Sequence, residues 1–134
     1  MSEIYTFGVK TGQINAMVNI TSEINKAINE SGVKSGICVV FVPHTTAGIT
    51  VNENDDPDVV RDFLKDMNNI VPDKDDDRRI GGNSAVHTRT SLTGCSLTLI
   101  IDEGRLLLGT WQGIYFMESD GPRIRKVHVK IIEG

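Results

Sequence analysis

The residues best suited to chemistry in this 134-residue chain are concentrated in Phe41–Asp56. After Pro43 this stretch brings together an imidazole, threonine hydroxyls, two carboxamides and three carboxylates, a mixture that a plain surface loop does not need. Within it Gly48-Ile-Thr-Val51 reads as a strand, so His44 stands at one end and the Asn52-Glu53 pair at the other. Histidine titrates near neutrality and a carboxylate tunes it, so His44 with Glu53 would serve as an acid/base pair. A second histidine, His87, lies beside Asn83, Ser84, Thr90 and Ser91. Two imidazoles with a nearby carboxylate would make a zinc-type or other divalent site, while the surrounding hydroxyls would equally satisfy both rings as structural hydrogen-bonding groups. The third histidine, His128, alternates with Lys130 opposite Val127, Val129 and Ile131, which is a solvated strand position. The turn Pro43–Gly48 and the bend Gly109-Thr-Trp-Gln-Gly113 offer hydroxyls and main-chain N–H groups for a phosphate, with Arg89 and Arg105 as added charge, though neither is a P-loop.

These groups must be positioned by a mostly β scaffold. Residues 4–10 alternate as an opening strand, Gly12-Gln13 reads as a turn, and a second strand follows at 14–19, so the chain is expected to begin as a hairpin. Thr21 is the expected N-cap of a helix at 22–31, with Ile24, Ala27 and Ile28 as its apolar stripe and Gly32 as its stop. Gly36–Val42 is apolar on both faces and predicts a central, doubly covered strand that ends at His44. Asp56-Pro57 predicts a capped helix at about 57–68, with Val60, Phe63, Leu64 and Met67 as its apolar face. The acidic run Asp73–Arg79 reads as a solvated loop. It fails as an EF-hand because Arg78 replaces the required glycine and Ser84 the bidentate Glu. Gly81-Gly82-Asn83 caps a short helix from Ser84 to Leu92, on which Asn83 or Ser84, His87, and Thr90 or Ser91 share one polar edge while Ala85 and Leu92 hold the other side. The remaining forty residues read as an antiparallel meander broken by the Gly109–Gly113 bend.

Length and composition suit one self-contained domain over residues 1–134. A net charge of -4 and a pI near 5.3 argue against a nucleic-acid surface driven by bulk positive charge. No apolar run is long enough for a membrane span, and Met1–Tyr5 lacks a signal-peptide pattern, so a cytoplasmic location is expected. Cys38 and Cys95 lie in strand-like runs and read as reduced core thiols.

Five motifs then carry a resemblance. Pro43-His-Thr-Thr-Ala, Asn52-Glu53 with Asp56-Pro-Asp-Val59, Gly82-Asn-Ser-Ala-Val-His87, Ser91-Leu-Thr-Gly94, and Leu108-Gly-Thr-Trp-Gln-Gly-Ile-Tyr-Phe116 closing with Asp120-Gly-Pro-Arg123 resemble, in order, the YjbQ-like family. The resemblance spans the chain from the first strand to the last. It implies a single α+β domain, mostly antiparallel sheet with about three helices, assembling as a cytoplasmic homotrimer with a polar pocket near the subunit boundaries. It also implies a weak secondary thiamine-phosphate synthase activity, joining a hydroxymethylpyrimidine pyrophosphate to a thiazole phosphate with help from a divalent metal, Mg or Zn. The alternatives are a non-catalytic trimer that senses a small phosphorylated ligand or metal, and a metal-dependent hydrolase. Carried over to this chain, the catalytic group would be His44, Glu53, Asn52, Gln112 and Glu118. Ligand binding would fall to Thr45, Thr46, Asn83, Ser91 and Trp111, and metal binding to His44 and His87. Where the family pattern has an aromatic and a histidine before the Asn83-Ser84 segment, this chain has Asp77-Arg78-Arg79-Ile80, so a carboxylate or water would complete the metal shell.

Overall fold

The computed structural model describes residues 3–72 and 84–134. In chain order its elements are β1 (Ile4–Lys10), β2 (Ala16–Asn19), α1 (Thr21–Ser31), β3 (Gly36–Phe41), β4 (Ala47–Glu53), α2 (Pro57–Ile70), α3 (Ser84–Thr93), β5 (Ser96–Asp102), β6 (Arg105–Leu106), β7 (Gln112–Glu118) and β8 (Ile124–Glu133). They form one α+β domain with two antiparallel sheets, a five-stranded sheet ordered β1-β8-β3-β5-β6 and a three-stranded sheet ordered β2-β7-β4. The inner face of the larger sheet (Val9, Cys38, Val40, Ile101, Val127, Val129, Ile131) meets α1 (Ile24, Ala27, Ile28) and the smaller sheet (Ala47, Ile49, Ile114, Phe116) in one core. The acidic run Asp73–Arg79 and the Gly81–Asn83 cap lie outside the described residues.

Local expectations hold where local chemistry decides them. β1 occupies residues 4–10, the α1 stripe is buried, and Gly32 takes a left-handed φ of 73° at the helix end. Asp56 caps α2 by accepting from the Asp58 N–H at 2.9 Å, ahead of Pro57. Thr21, in contrast, is the first residue of α1 and not its cap. Its hydroxyl bonds Asn19 Oδ1 at 2.7 Å and accepts from the Ile114 N–H at 2.9 Å, so it fastens the helix start to β7.

Strand pairing departs from the sequence reading. The expected opening hairpin does not form: β1 pairs with β8, whereas β2 crosses to the other sheet and pairs with β7. The expected C-terminal meander is broken in the same way, since β7 lies between β2 and β4 while β8 lies between β1 and β3. β3 is central but covered on one face only, with Ile37 and Phe41 38% and 42% exposed on the other. The apolar side of α2 is likewise only half-buried, and Leu92 is exposed rather than packed.

A buried ion pair sits where the two sheets are joined. Arg125 enters β8 in phase with Val127, Val129 and Ile131, so its side chain points inward, and Glu118 ends β7 with 1% of its surface exposed. Arg125 Nε donates to Glu118 Oε1 at 2.8 Å, and Nη2 donates to Oε2 and, at 2.8 Å, to Thr46 Oγ1. Glu118 also accepts from the Thr11 hydroxyl at 2.7 Å and from the Ser119 and Asp120 N–H groups at 3.1 Å each. Burial by itself would raise the Glu118 pKa. The hydrogen bonds from Arg125, Thr11 and Asp120, with the Arg125 charge, outweigh it and hold the carboxyl below its usual 4.5. Gly121 passes so close that an added Cβ would lie 2.2 Å from the Gln13 carbonyl oxygen and 2.9 Å from Thr11 Oγ1.

Glu118→Gln leaves the Arg125 charge buried without its partner and is expected to lower stability by about 3–5 kcal/mol at neutral pH, read from urea unfolding. Because the folded pKa is depressed, the Glu118 contribution is present above the unfolded value near 4.5 and is lost as pH falls through the folded one. The gap between wild type and variant therefore narrows in acid; a gap that stays constant would assign the stabilisation to packing instead.

Candidate functional site

His44 follows β3 in the turn that leads to β4, and its environment is set by the end of a strand ladder. β3 and β8 pair from Gly36 opposite Glu133 to Phe41 opposite His128. Continuing that register would set Lys126 opposite Pro43, which has no N–H to return a bond. The Lys126 N–H instead donates to His44 Nε2 at 3.0 Å, so an imidazole takes the place of the next backbone carbonyl. Burial, then the Arg125 charge, push the His44 pKa below 6.5 against the upward pull of the Glu118 carboxylate.

The opposite wall comes from α3. His87, Thr90 and Ser91 fall three and four residues apart on one edge, and with His44, Thr45, Gly94 and Cys95 they line a cleft of about 430 Å³. Gly48 makes this approach possible, because a Cβ there would lie 2.4 Å from Thr93 Oγ1 and 2.5 Å from the Gly94 carbonyl oxygen. The Ile49 N–H donates to that same carbonyl at 3.1 Å, and the Val42 N–H to the Cys95 carbonyl at 2.8 Å, so β4 and β3 are tied directly to the residues after α3. His87 Nε2 is buried and has no hydrogen-bond partner among the described residues.

The sequence model of the UPF0047 protein YjbQ-like family matches residues 5–134. The chain belongs to the YjbQ-like family. It is 50% identical over 129 residues to a UPF0047 protein of Methanocaldococcus jannaschii, covering 96% of this chain and 94% of that one. With YugU of Bacillus subtilis it shares 45% identity, covering 95% and 97%. The crystal structure of an uncharacterized YjbQ/UPF0047 protein from Clostridium acetobutylicum superposes with a TM-score of 0.92 at 52% identity, covering 96% of this chain and 99% of that one. A YjbQ-like protein from Sulfolobus solfataricus, described as of unknown function, superposes with a TM-score of 0.91 at 30% identity, covering all of both chains.

Within this YjbQ-like chain the expected site residues separate into three groups. His44, Thr45, His87 and Ser91 meet in the cleft. Thr46 and Glu118 belong to the buried ion-pair cluster; every Glu118 oxygen is engaged, so Glu118 anchors the fold and is not free to move a proton. Asn52, Glu53, Trp111 and Gln112 lie at the far end of β4, where Glu53 is opposite Gln112 and Ala47 opposite Glu118. Seven residues of strand at about 3.3 Å each set the two ends roughly 20 Å apart, so His44 and Glu53 of one chain are not an acid/base pair. At that far end Asn52 Oδ1 accepts from the Glu53 N–H at 2.8 Å, Gln112 Oε1 accepts from the Gly109 N–H at 2.8 Å, and Trp111 is 58% exposed. Asn83 lies outside the described residues. Arg89 is buried with Nη1 donating to the Val71 carbonyl at 2.7 Å, and Arg105 is exposed on β6, so neither lines the cleft.

Sequence reasoning placed Thr90 on the His87 edge but missed Cys95 and Arg125. Cys95 precedes β5 and is exposed at the cleft, not packed in the core, whereas Cys38 is buried and its thiol is pushed up to about 11. Arg125 carried a readable signal, being a charged residue in the inward phase of Val127, Val129 and Ile131.

A divalent ion held by His44 fits this arrangement poorly. The Nε2 lone pair is taken by the Lys126 N–H, and none of the seven cleft-lining residues is a carboxylate. Among the described residues no three His, Cys, Asp or Glu side chains are grouped closely enough to hold a metal ion.

Since the folded pKa of His44 is depressed, the unfolded chain binds the extra proton in the window just below 6.5. The His44 contribution to stability is therefore present above that pH and lost as pH falls through the window. Urea unfolding at about pH 7.5 and about pH 5.5 should show wild type losing more stability on acidification than His44→Gln, whose side chain does not titrate. Equal losses would place His44 in a solvent-like environment.

Proposed function

We propose that the His44–His87 cleft binds a small phosphorylated ligand, and that the reaction it serves is a weak, secondary thiamine-phosphate synthase activity. The observation that supports the reading is the lining: two imidazoles, hydroxyls from Thr45, Thr90 and Ser91, and no carboxylate, a wall suited to an anion and unsuited to a cation. In this reaction a C–N bond forms between the pyrimidine methylene carbon and the thiazole nitrogen while the C–O bond to pyrophosphate breaks and pyrophosphate leaves with the electron pair. The step needs charge stabilisation on the leaving group more than a strong base, which agrees with a cleft that lacks a free carboxylate. Magnesium enters with the pyrophosphate as part of the substrate.

A non-catalytic binding role is the second reading. It is favoured by the distance that separates Asn52, Glu53 and Gln112 from the cleft, which leaves one chain without the polar groups expected to act on a bound substrate. A homotrimer, which the family resemblance implies, would supply those groups from a neighbouring copy. The uncovered face of the larger sheet supports self-association: Ile37, Ile100, Leu107 and Ile132 line an open concavity of about 560 Å³, rimmed by Ser35, Asp102 and Glu133.

Purified protein given both thiamine precursors and Mg²⁺ is expected to form thiamine phosphate above background, with His44→Ala slower by about tenfold or more. Product at the background rate, unchanged by His44→Ala, removes the enzymatic reading. Thermal stabilisation by the pyrophosphate substrate without turnover supports the binding reading, and light scattering at the mass of one chain removes the trimer.

A further inference from the structure

Building on the cleft as an oxyanion site, we propose that His44 acts as a neutral hydrogen-bond donor through Nδ1–H, locked in that tautomer by the Lys126 main-chain N–H, and that it faces a phosphate oxygen of the ligand rather than a metal ion.

An amide N–H can only donate, so the ring nitrogen it meets, Nε2, must present its lone pair. A neutral imidazole has one proton, which then resides on Nδ1. No described residue bonds Nδ1, so its hydrogen is available to a ligand in the cleft that His44 lines. A general base or a metal ligand needs the opposite arrangement, a free lone pair facing the cleft. Turning the proton around would bring Nε2–H against Lys126 N–H and break the bond that closes the β3–β8 ladder. Burial and the nearby Arg125 charge also disfavour the doubly protonated ring, so a single donor persists at neutral pH.

The lock is built from rigid parts. Lys126 is the residue after Arg125, whose guanidinium is held by Glu118 and by Thr46, two residues after His44. The same cluster therefore sets both the donor on β8 and the turn that carries the imidazole. Glu118 and Arg125 are positioning residues in this scheme and touch no ligand.

The test uses the full chain labelled with ¹⁵N-histidine. In the ligand-free protein at about pH 7.5, long-range ¹⁵N–¹H spectra, with His44 assigned by its loss in His44→Gln, are expected to show the Nδ1–H tautomer. An Nε2–H tautomer, a rapidly exchanging mixture, or a His44 nitrogen shifted to a metal-bound position by one equivalent of Zn²⁺ overturns the proposal. Binding of inorganic pyrophosphate supplies the second readout. An Asn amide reaches the Nδ1 position, whereas a Gln amide reaches the Nε2 position and can only replace the acceptor for Lys126. His44→Asn is therefore expected to bind pyrophosphate about tenfold or more tightly than His44→Gln, the size of one hydrogen bond to a charged group. The reverse order overturns the proposal. If the wild type itself binds no pyrophosphate, the cleft's assignment as a phosphate site falls, and the tautomer spectrum alone decides whether His44 is locked as stated.

Discussion

The Glu118–Arg125 pair is the constraint on which the arrangement of this fold depends. Glu118 belongs to the smaller sheet and Arg125 to the larger, and the turn between β7 and β8 carries the chain from one to the other. A carboxylate and a guanidinium taken out of water are tolerated only when their bonding capacity is filled. Thr11, the Ser119 and Asp120 N–H groups, and Thr46 supply the further bonds, from three junctions of the chain. Thr11 follows β1, Thr46 precedes β4, and Ser119 and Asp120 follow β7. Satisfying one ion pair therefore fixes where four strand ends meet, and Gly121 is required because no side chain fits beside Thr11 and Gln13 at that crossing.

This explains which parts of the fold could be read from the sequence. The extents of β1, α1, α2 and α3 follow from alternation, apolar spacing, the Asp56 cap and terminal glycines, all of which act within a few residues. Pairing does not follow from such signals. The stretch 4–19 has the appearance of a hairpin, yet Thr11 bonds Glu118 and the Thr11 N–H donates to the Arg123 carbonyl at 2.9 Å, which keeps the end of β1 beside β8 and sends β2 to the other sheet. The partners lie more than a hundred residues apart, beyond the reach of any local pattern. The one long-range clue in the sequence was Arg125 itself, in the inward phase of a strand.

The candidate site was legible to a similar depth. His44 at a strand end and His87 on a helix edge were identifiable by residue type, and they meet because Gly48 lets the end of α3 sit directly against β4. A family motif fixes the order of residues but not their separation. Asn52 and Glu53 share a motif-rich stretch with His44 and are nonetheless set apart by the length of β4, a distance that strand geometry implies once β4 is known to run unbroken from Ala47 to Glu53. Glu118 looked chemical because it is a carboxylate among family motifs; only its hydrogen-bond partners reveal an anchor.

The apolar run of β3 bears on how such separated groups could work together. Gly36–Val42 is hydrophobic in both phases, as for a strand covered on two sides, and the chain covers one. On the open side Ile132, Ile37 and Ile100 fall in one row across three strands. The next rows carry Lys130 beside Val39, then His128 beside Phe41 with Thr6 Oγ1 2.8 Å from His128 Nδ1, so one apolar row is followed by two mixed rows. Burying the isoleucine row against another copy would remove apolar area from water, while the lysine and histidine rows would restrict the register of contact. The open face continues from Ile37 through Val39 to Phe41, three residues before His44, so a copy that covered its whole length would reach the edge of the cleft. The proposed assembly thus gives one physical reason for two otherwise unconnected facts: β3 is more hydrophobic than its burial requires, and Asn52, Glu53 and Gln112 do not reach the His44–His87 cleft within a single chain.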